Sequence, residues 1–312
     1  MKRVLKKRQK DLIFYCLMIA LPLLQYAIFY VGVNMNSILL AFQKYEMQGY
    51  SYKFVFVANF DNFKNVFVDL FTTPIMIQIL KNTTTIYLLS LFVVTPLALI
   101  FSFYIMKKLP GSGLFRVILF IPTIICSVIL VYIFQIIADN IVPNIATSII
   151  GDDTKYDKFQ LLVNADTRFG AIVFFGMFLS FGVNVLMYSG AMSSVSDDII
   201  EAAHLDGCGD FKEFIHIILP SVFPTLTTFI IIGIANFFIN QAHLFDLYGA
   251  HAESSIQTLG YFMFAKAAPF GGEIDYASYP YLSAMGLIFT LFAAPVTFFV
   301  KWALEKFGPN PN

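Results

Sequence analysis

The sequence predicts an all-α polytopic membrane protein with about six transmembrane helices. Of its 312 residues, 58% are hydrophobic and only 13% are charged, whereas soluble domains carry roughly 25% charged residues. The hydrophobic residues gather in six long apolar runs, each near the roughly 20 residues that a helix needs to cross the hydrocarbon core of a bilayer. Polar segments separate the runs. A chain of this composition must use lipid as its solvent.

The predicted spans cover roughly residues 12–33, 83–106, 115–137, 169–192, 223–242 and 282–302, within a single transmembrane domain over 12–312. A basic N-terminus, residues 1–11, precedes the first span. This first apolar run is too long for the core of a signal peptide and is not followed by a small-residue cleavage pattern, so we expect it to remain as a helix.

The segments between the spans differ in character. Phe60, Phe63, Phe67 and Phe71 recur at helical spacing with charged residues between them, which predicts an amphipathic helix that either lies at the membrane interface or packs as a soluble helix. Residues 139–168 and 245–281 are predicted to be external loops. Twelve of the 20 basic residues then fall on the side of the termini, and the positive-inside rule places both termini in the cytosol.

Several function classes receive no support. The net charge of zero gives no indication of nucleic acid binding, and no phosphate-binding loop of the Gly-x-x-x-x-Gly-Lys-[Ser/Thr] type occurs. Cys16, Cys126 and Cys208 are too scattered to predict a disulfide or a metal site. We predict no catalytic residue, no metal and no cofactor bound by this chain.

The spans themselves bear on the energy source. Away from their ends they contain no Asp, Glu, Lys or Arg. Ion-coupled secondary transporters usually carry an ionisable residue within the membrane. Its absence favours a transporter driven by another energy source, although an ion-coupled secondary transporter remains the alternative from a different class.

The polar stretch 196–220 is the most informative part of the chain. Ser196 can cap a first short helix, and glycine at position 207 can end it in the left-handed conformation. Asp210 can cap a second helix, and Pro220 is expected to change the chain direction because proline cannot continue a helix as an interior residue. By its physics alone this stretch could be an ordinary amphipathic loop.

Its residue pattern resembles the EAA loop of membrane subunits in binding-protein-dependent ATP-binding-cassette (ABC) importers. That motif is Glu-Ala-Ala, three residues, Gly, nine residues, Ile, one residue and Leu-Pro, and it is met here by Glu201, Ala202, Ala203, Gly207, Ile217, Leu219 and Pro220. Asp206 also fits the sugar-importer version. Asn82-Thr83, Phe120-x-Pro122 and Thr258-Leu259 look like further sugar-permease positions, so the chain resembles the maltose-transporter type.

The resemblance implies a type I importer permease fold with cytosolic coupling helices in a bacterial cell membrane. It implies a transport subunit rather than an enzyme, with ATP and Mg bound by a partner. The implied partners are a second homologous permease, two ABC ATPase subunits and an extracellular solute-binding protein. The residues expected to couple to the ATPase are Glu201, Ala202, Ala203, Asp206 and Gly207. The expected substrate is a sugar or oligosaccharide, with amino acids or peptides as alternatives.

Neutral polar residues inside the spans are candidates for the substrate path. Asn184 and Tyr188 lie four apart in the fourth span, and Asn236 and Asn240 lie four apart in the fifth, with Gln241 beside them. Amides and aromatic faces suit a sugar, which offers hydroxyls and C–H faces. The alternative is that these residues hydrogen-bond across helices. The stretch 236–240 also resembles the asparagine-rich segment that lines the sugar site in the maltose-type family.

Overall fold

The computed structural model describes residues 7–48, 51–57, 60–152, 155–268 and 275–309. Residues 1–6 of the predicted basic N-terminus therefore lie outside the described residues. The helices are α1 (Lys7–Gln25), α2 (Val33–Leu40), α3 (Asp61–Thr72), α4 (Pro74–Leu89), α5 (Thr95–Met106), α6 (Ser112–Ile124), α7 (Ser127–Ile136), α8 (Val142–Ile150), α9 (Tyr156–Phe159), α10 (Ala165–Met192), α11 (Asp197–Leu205), α12 (Asp210–Glu213), α13 (Leu219–Asn236), α14 (Leu244–Tyr248), α15 (Leu259–Ala267) and α16 (Tyr279–Phe307).

Six helices in the described part of the chain are long and apolar enough to cross a membrane. They are Lys10–Leu40, Pro74–Met106, Ser127–Ile150, Ala165–Met192, Asp210–Asn236 and Tyr276–Phe307. Short π-helical turns join α1 to α2, α4 to α5, α7 to α8 and α12 to α13. The predicted fold class, an all-α membrane protein with six spans, is confirmed.

The chain divides into two compact units, residues 1–69 with 271–290 and residues 70–270 with 291–312. The first unit contains α1 and α2 and a two-stranded antiparallel sheet, β1 (Gln43–Gln48) with β2 (Ser51–Phe56), in which Gln43 pairs with Phe56. Asn62 at the start of α3 donates to the carbonyls of Ala41 and Gln43, both at 2.9 Å. These bonds fix the helix against the sheet, which no sequence pattern had predicted.

Two buried apolar clusters lie among the residues of the second unit that the structure describes. One joins α7, α10 and the segment 244–261 around Ile172 and Phe175. The other joins α5, α10 and α13 around Val185, Tyr188 and Val222. Since each cluster draws on α10, that helix is the central element against which the others pack.

The third predicted span, 115–137, is not a continuous helix. Its first part is α6, and extended backbone at Ile125 (ψ 140°) and Cys126 (ψ 135°) separates it from α7. Pro122 lies within α6 and lacks an N–H group, and the β-branched Thr123, Ile124 and Ile125 follow it. The long apolar helix here is instead Ser127–Ile150, so residues 139–150 are helical where the sequence predicted an external loop.

The fifth predicted span, 223–242, is shifted in the structure. The helix extends from Asp210 through Pro220 to Asn236. The prediction that the chain turns at Pro220 is wrong, because the π-helical turn Phe214–Ile218 widens the helix just before the proline. After Asn236 the chain leaves the helix, and Ala242 and His243 adopt positive φ values of 50° and 57°.

Close packing of α6 on α10 generates a first testable prediction. A methyl group at position 182 would overlap the carbonyl oxygen of Leu119, so Gly182→Ala must push α6 away from α10. Overpacking of this kind costs about 1–3 kcal/mol. We expect a lower thermal unfolding midpoint in detergent than for the unaltered chain.

Gly190→Ala is the matched control. It lies in the same helix, is exposed, and a methyl group there meets no atom within 4 Å. Because alanine is the better helix former, its midpoint should stay the same or rise. Equal midpoints for the two variants would show that the α6–α10 contact does not constrain the fold.

Candidate coupling loop and translocation cavity

In the loop between α10 and α13, the predicted helix ends at Ser196 and Gly207 are confirmed, whereas the predicted cap at Asp210 is not. Ser196 Oγ accepts a hydrogen bond from the Asp198 N–H at 3.3 Å and caps α11. Gly207 has a φ of 78°, and the Cys208 N–H reaches back to the Ala203 carbonyl at 2.9 Å. This closes α11 with a left-handed glycine, as in a Schellman motif.

Asp210 does not cap the second helix. Gly209 occupies the N-cap position of α12, and Asp210 Oδ1 lies 3.0 Å from Lys107 Nζ at the end of α5. The carboxylate is therefore engaged by a cation instead of backbone N–H groups. This contact begins a larger cluster.

The charge cluster consists of Lys107, His204, Asp210 and Glu213. Glu213 is fully buried, and its Oε2 lies 2.6 Å from Lys107 Nζ and 2.7 Å from His204 Nε2. Oε1 of the same carboxylate is buried with no hydrogen-bond partner among the residues that the structure describes. Removing one member of a buried ion pair typically costs about 3–5 kcal/mol, because the other charge is left unpaired.

Two opposing effects act on Lys107 at this position. Burial of its ammonium group lowers the pKa, but hydrogen bonds and charges from Glu213 and Asp210 outweigh that effect, so the pKa of Lys107 lies above its ordinary value. A basic group with a raised pKa contributes stability that is lost only as the pH rises through that value. The cation therefore persists at neutral pH.

The residues predicted to couple to an ATPase lie on the outside of this loop. Glu201, Ala202, Asp206 and Gly207 are exposed and Ala203 is half-buried. Two large apolar side chains of the same loop are also exposed: Leu205 is 89% exposed and Phe211 is 78% exposed. A polar loop that presents such apolar groups has the composition of a docking surface.

A second polar feature lies at the opposite end of α13. A cavity of about 190 Å³, which we call the amide cavity, is lined by Thr83, Ile86, Tyr87, Ser90, Gly233, Asn236, Phe237, Asn240 and Thr258. A neighbouring cavity of about 470 Å³ shares Ile86, Ser90 and Asn240 with it. The larger one is also lined by Pro122, Thr123 and Ile125, where α6 breaks off.

Asn240 is held in the wall of the amide cavity by a hydrogen bond from Thr258 and by close backbone packing. The Thr258 hydroxyl donates to the Asn240 carbonyl at 2.7 Å and accepts from the Tyr261 N–H, capping α15. A methyl group on Gly260 would overlap the backbone of Ile239, so only glycine allows this approach. The segment 255–260 is thus packed directly behind Asn240.

The same segment is hydrogen-bonded to α4. Asn82 donates to the carbonyls of Ser255 and Gln257 at 2.8 and 3.0 Å, and the Thr83 hydroxyl accepts from the Leu259 N–H at 3.0 Å. Asn82 and Thr83 are buried. The sequence indicated Asn82-Thr83 and Thr258-Leu259 separately, but no pattern showed that they meet.

The structure brings together only some of the predicted path residues. Asn236 and Asn240 line the amide cavity. Tyr188 is 1% exposed and packs against Phe229 at a ring distance of 5.2 Å, so it belongs to an apolar cluster. Asn184 and Gln241 are half-buried and are not among the residues lining these two cavities.

The hydrogen bonds between α4 and segment 255–260 generate a second prediction. Thr83→Val removes the acceptor for the buried Leu259 N–H, and leaving such a group unpaired costs about 1–3 kcal/mol. We expect faster amide hydrogen exchange in the peptide covering 255–262, measured by mass spectrometry on the detergent-solubilised protein.

Thr85→Val provides the control two residues away. Its hydroxyl bonds to the Lys81 carbonyl within the same helix. Exchange in segment 255–262 should therefore stay as in the unaltered chain. An equal acceleration in both variants would indicate a general effect of valine on α4 and would remove Thr83 from this role.

Comparisons with known proteins find relatives in sequence and in fold. LplB of Bacillus subtilis is 24% identical over 308 residues, which cover 96% of this chain and 90% of that protein. The arabinooligosaccharide transport system permease AraP of Bacillus subtilis is 24% identical over 212 residues, covering 68% of this chain and 64% of AraP. A chain of the bacterial alginate ABC transporter, solved in complex with an alginate pentasaccharide-bound periplasmic protein, matches with a TM-score of 0.73 at 19% identity, covering 99% of each chain.

The family comparison covers most of the chain. The sequence profile described as "Binding-protein-dependent transport system inner membrane component" matches residues 107–310. The match begins at Lys107, and it includes the whole coupling loop and α13. This chain therefore belongs to the family of inner membrane components of binding-protein-dependent transport systems.

Proposed function

We propose that this chain is the permease subunit of an ATP-driven importer and forms part of the path for a sugar or oligosaccharide. The observation that carries the proposal is the pairing of two features in one unit: an exposed loop with the EAA residues, and a cavity lined by amides at the other end of the same helix. Membership of the family makes the chain a transport component rather than an enzyme.

The exposed face of the loop supports an ATPase as the partner. Leu205 and Phe211 present large apolar surfaces beside the acidic Glu201, and burying them in a groove of another protein removes this area from water. ATP and Mg belong to that partner. A complete importer would contain two ATPase copies and a second homologous permease.

The lining of the cavities supports a neutral polyhydroxyl ligand. Neither of the two cavities described above is lined by Asp, Glu, Lys or Arg. Asn236 and Asn240 offer both donors and acceptors to hydroxyl groups, and the rings of Tyr87 and Phe237 suit the C–H faces of a sugar. AraP is named for arabinooligosaccharides, which are neutral sugars, and this agrees with the assignment. The matched transporter is named for alginate, an acidic polysaccharide, so it supports the carbohydrate class and not the neutral charge of the ligand.

An external solute-binding protein would deliver the sugar, as the periplasmic protein in the alginate transporter complex suggests. The chain is a multi-pass membrane protein. We infer a bacterial cell membrane with both termini in the cytosol. In this orientation the coupling loop faces the ATPase and the amide cavity lies toward the side from which the sugar arrives.

The alternatives fit the structure less well. The comparisons give no support to an ion-coupled secondary transporter. An amino acid or peptide carries ammonium and carboxylate groups that require charged or strongly polar partners when buried, and the two cavities lack carboxylate, ammonium and guanidinium side chains. A role in nucleic acid binding has no support in the zero net charge of the chain.

The docking surface generates a third prediction. Glu201→Lys and Leu205→Asp alter exposed side chains, so the abundance and thermal stability of the chain should be unchanged. Each should reduce the ATPase that copurifies with the chain at least tenfold, equivalent to about 1.4 kcal/mol of binding free energy. Quantitative immunoblotting of the purified complex measures this.

Lys212→Gln is the control, because Lys212 is exposed in the same loop and outside the EAA residues. It should copurify the ATPase normally. Full ATPase recovery with Glu201→Lys and Leu205→Asp would rule out this face as the docking surface.

The amide cavity generates a fourth prediction. Asn236→Leu removes an exposed amide without disturbing the wall, whereas Asn240 also accepts a hydrogen bond from the Ala242 N–H at 2.8 Å. Losing hydrogen bonds to a neutral ligand should raise the KM for sugar uptake roughly tenfold, equivalent to about 1.4 kcal/mol, while ATPase copurification stays normal.

Asn184→Leu is the comparison, because Asn184 is a half-buried amide in α10 outside both cavities. Its KM should stay within twofold of that of the unaltered chain. An unchanged KM in Asn236→Leu would remove that residue from the sugar path.

A further inference from the structure

The charge cluster connects three elements that the sequence does not link. Lys107 follows α5 directly, His204 lies in α11, and Asp210 and Glu213 lie in α12. The Lys107 ammonium donates to the carboxylates of Glu213 and Asp210 at 2.6 and 3.0 Å. His204 Nε2 donates to Glu213 Oε2 at 2.7 Å. The end of α5 is therefore joined to α12 through the cation, and α11 is joined to the same cluster through the Glu213 carboxylate.

The donor atoms of His204, Asp210 and Glu213 lie within 4.8 Å of one another, a spacing that a metal ion could also use. The Lys107 ammonium already contacts each of the three side chains, so it occupies the place of a bound cation. We therefore interpret the cluster as an ion pair between structural elements and not as a metal site.

The two helices that this ion pair connects both line the amide cavity and form two of its walls. The helix Pro74–Met106 ends beside Lys107 and carries Tyr87 and Ser90 in its middle. The helix Asp210–Asn236 begins in the loop and carries Gly233 and Asn236 at its other end. The loop is continuous with the second helix through the backbone, whereas only side chains join it to the first.

Burial protects the ion pair between Lys107 and Glu213 from water. The Glu213 side chain is fully buried and that of Lys107 is 16% exposed, so water cannot readily replace either partner. A displaced loop must therefore either carry the end of α5 with it or leave a buried carboxylate unpaired. Helix α5 also packs along α10 in the apolar cluster around Tyr188. A displacement of α5 is therefore transmitted to α10.

We propose that Lys107 and Glu213 are positioning residues for transport: their ion pair makes the helix Pro74–Met106 follow the coupling loop, so that both walls of the amide cavity move together. The proposal rests on the proposed function, in which a partner ATPase displaces the loop. Without the pair, the apolar contact of Phe103 with Phe214 remains between these elements, but no buried charge opposes their separation, and the wall formed by α13 follows the loop more closely than the wall formed by the helix Pro74–Met106. ATP hydrolysis then continues while the cavity changes shape incompletely.

The test uses the full complex with its ATPase in lipid nanodiscs and reports on each wall separately. In a background of Cys16→Ser, Cys126→Ser and Cys208→Ala, single reporters are introduced as Ser90→Cys on one wall and Asn236→Cys on the other. The labelling rate with a maleimide is measured without nucleotide and with ATP plus vanadate. With the pair intact, both reporters should change their rates.

The pair is removed by Lys107→Met combined with Glu213→Leu. Replacing both members with apolar residues leaves no unpaired charge between them, and such replacements are often neutral or stabilising. We expect this double variant to assemble, to hydrolyse ATP and to keep the nucleotide response of Asn236→Cys. The response of Ser90→Cys should fall about tenfold, within the range of known coupling energies.

Two further variants separate positioning from a general effect. The exchanged pair, Lys107→Glu with Glu213→Lys, should restore the Ser90→Cys response in an Asp210→Asn background, which removes the carboxylate that lies 3.0 Å from the Lys107 ammonium. Lys212→Met neutralises an exposed lysine next to Glu213 and should leave both responses intact. Failure of the exchanged pair to restore the response would contradict the proposal.

The remaining outcomes are also decisive. A Ser90→Cys response that persists in the apolar double variant would overturn the proposal, and so would failure of that variant to assemble, because the pair would then serve folding alone. If no ATPase copurifies with the unaltered chain, or neither reporter responds to nucleotide with the pair intact, the proposed function itself fails.

Discussion

The need to satisfy every backbone N–H and carbonyl group within lipid organises this structure. No water is available in the hydrocarbon core, so irregular backbone persists there only where protein groups or a cavity satisfy it. Ile125, one of the two extended residues, lines the larger cavity. The chain after Asn236 is held by segment 255–260, which Asn82 and Thr83 bind in turn. Side chains thus make the bonds that water makes in a soluble loop.

The features that the sequence predicts correctly are local. The apolar runs, the Ser196 cap and the left-handed Gly207 each depend on neighbouring residues. The break at Ile125 was missed because the residues on both sides are equally apolar, so hydropathy does not change there. The contact between Lys107 and Glu213 spans 106 positions, and neither residue carries a local signal of its partner.

Helical spacing identifies a face but not the neighbour of that face. Asn236 and Asn240 lie four positions apart and reach the amide cavity together. Asn184 and Tyr188 have the same spacing, yet Tyr188 is buried against Phe229 between α10 and α13. The sequence spacing does not distinguish the two pairs. They differ because α10 is packed at the centre of its unit.

The π-helical turn Phe214–Ile218 has a mechanical consequence. Because the turn accommodates Pro220, the helix from Asp210 to Asn236 is an uninterrupted rod of 27 residues, about 40 Å long at 1.5 Å per residue. Val222, which is 1% exposed, is buried close to the midpoint of this rod. Ile218 and Thr227, on either side of it, are buried as well. A displacement of the loop is therefore transmitted along a rigid helix to Asn236, with no flexible linker between them.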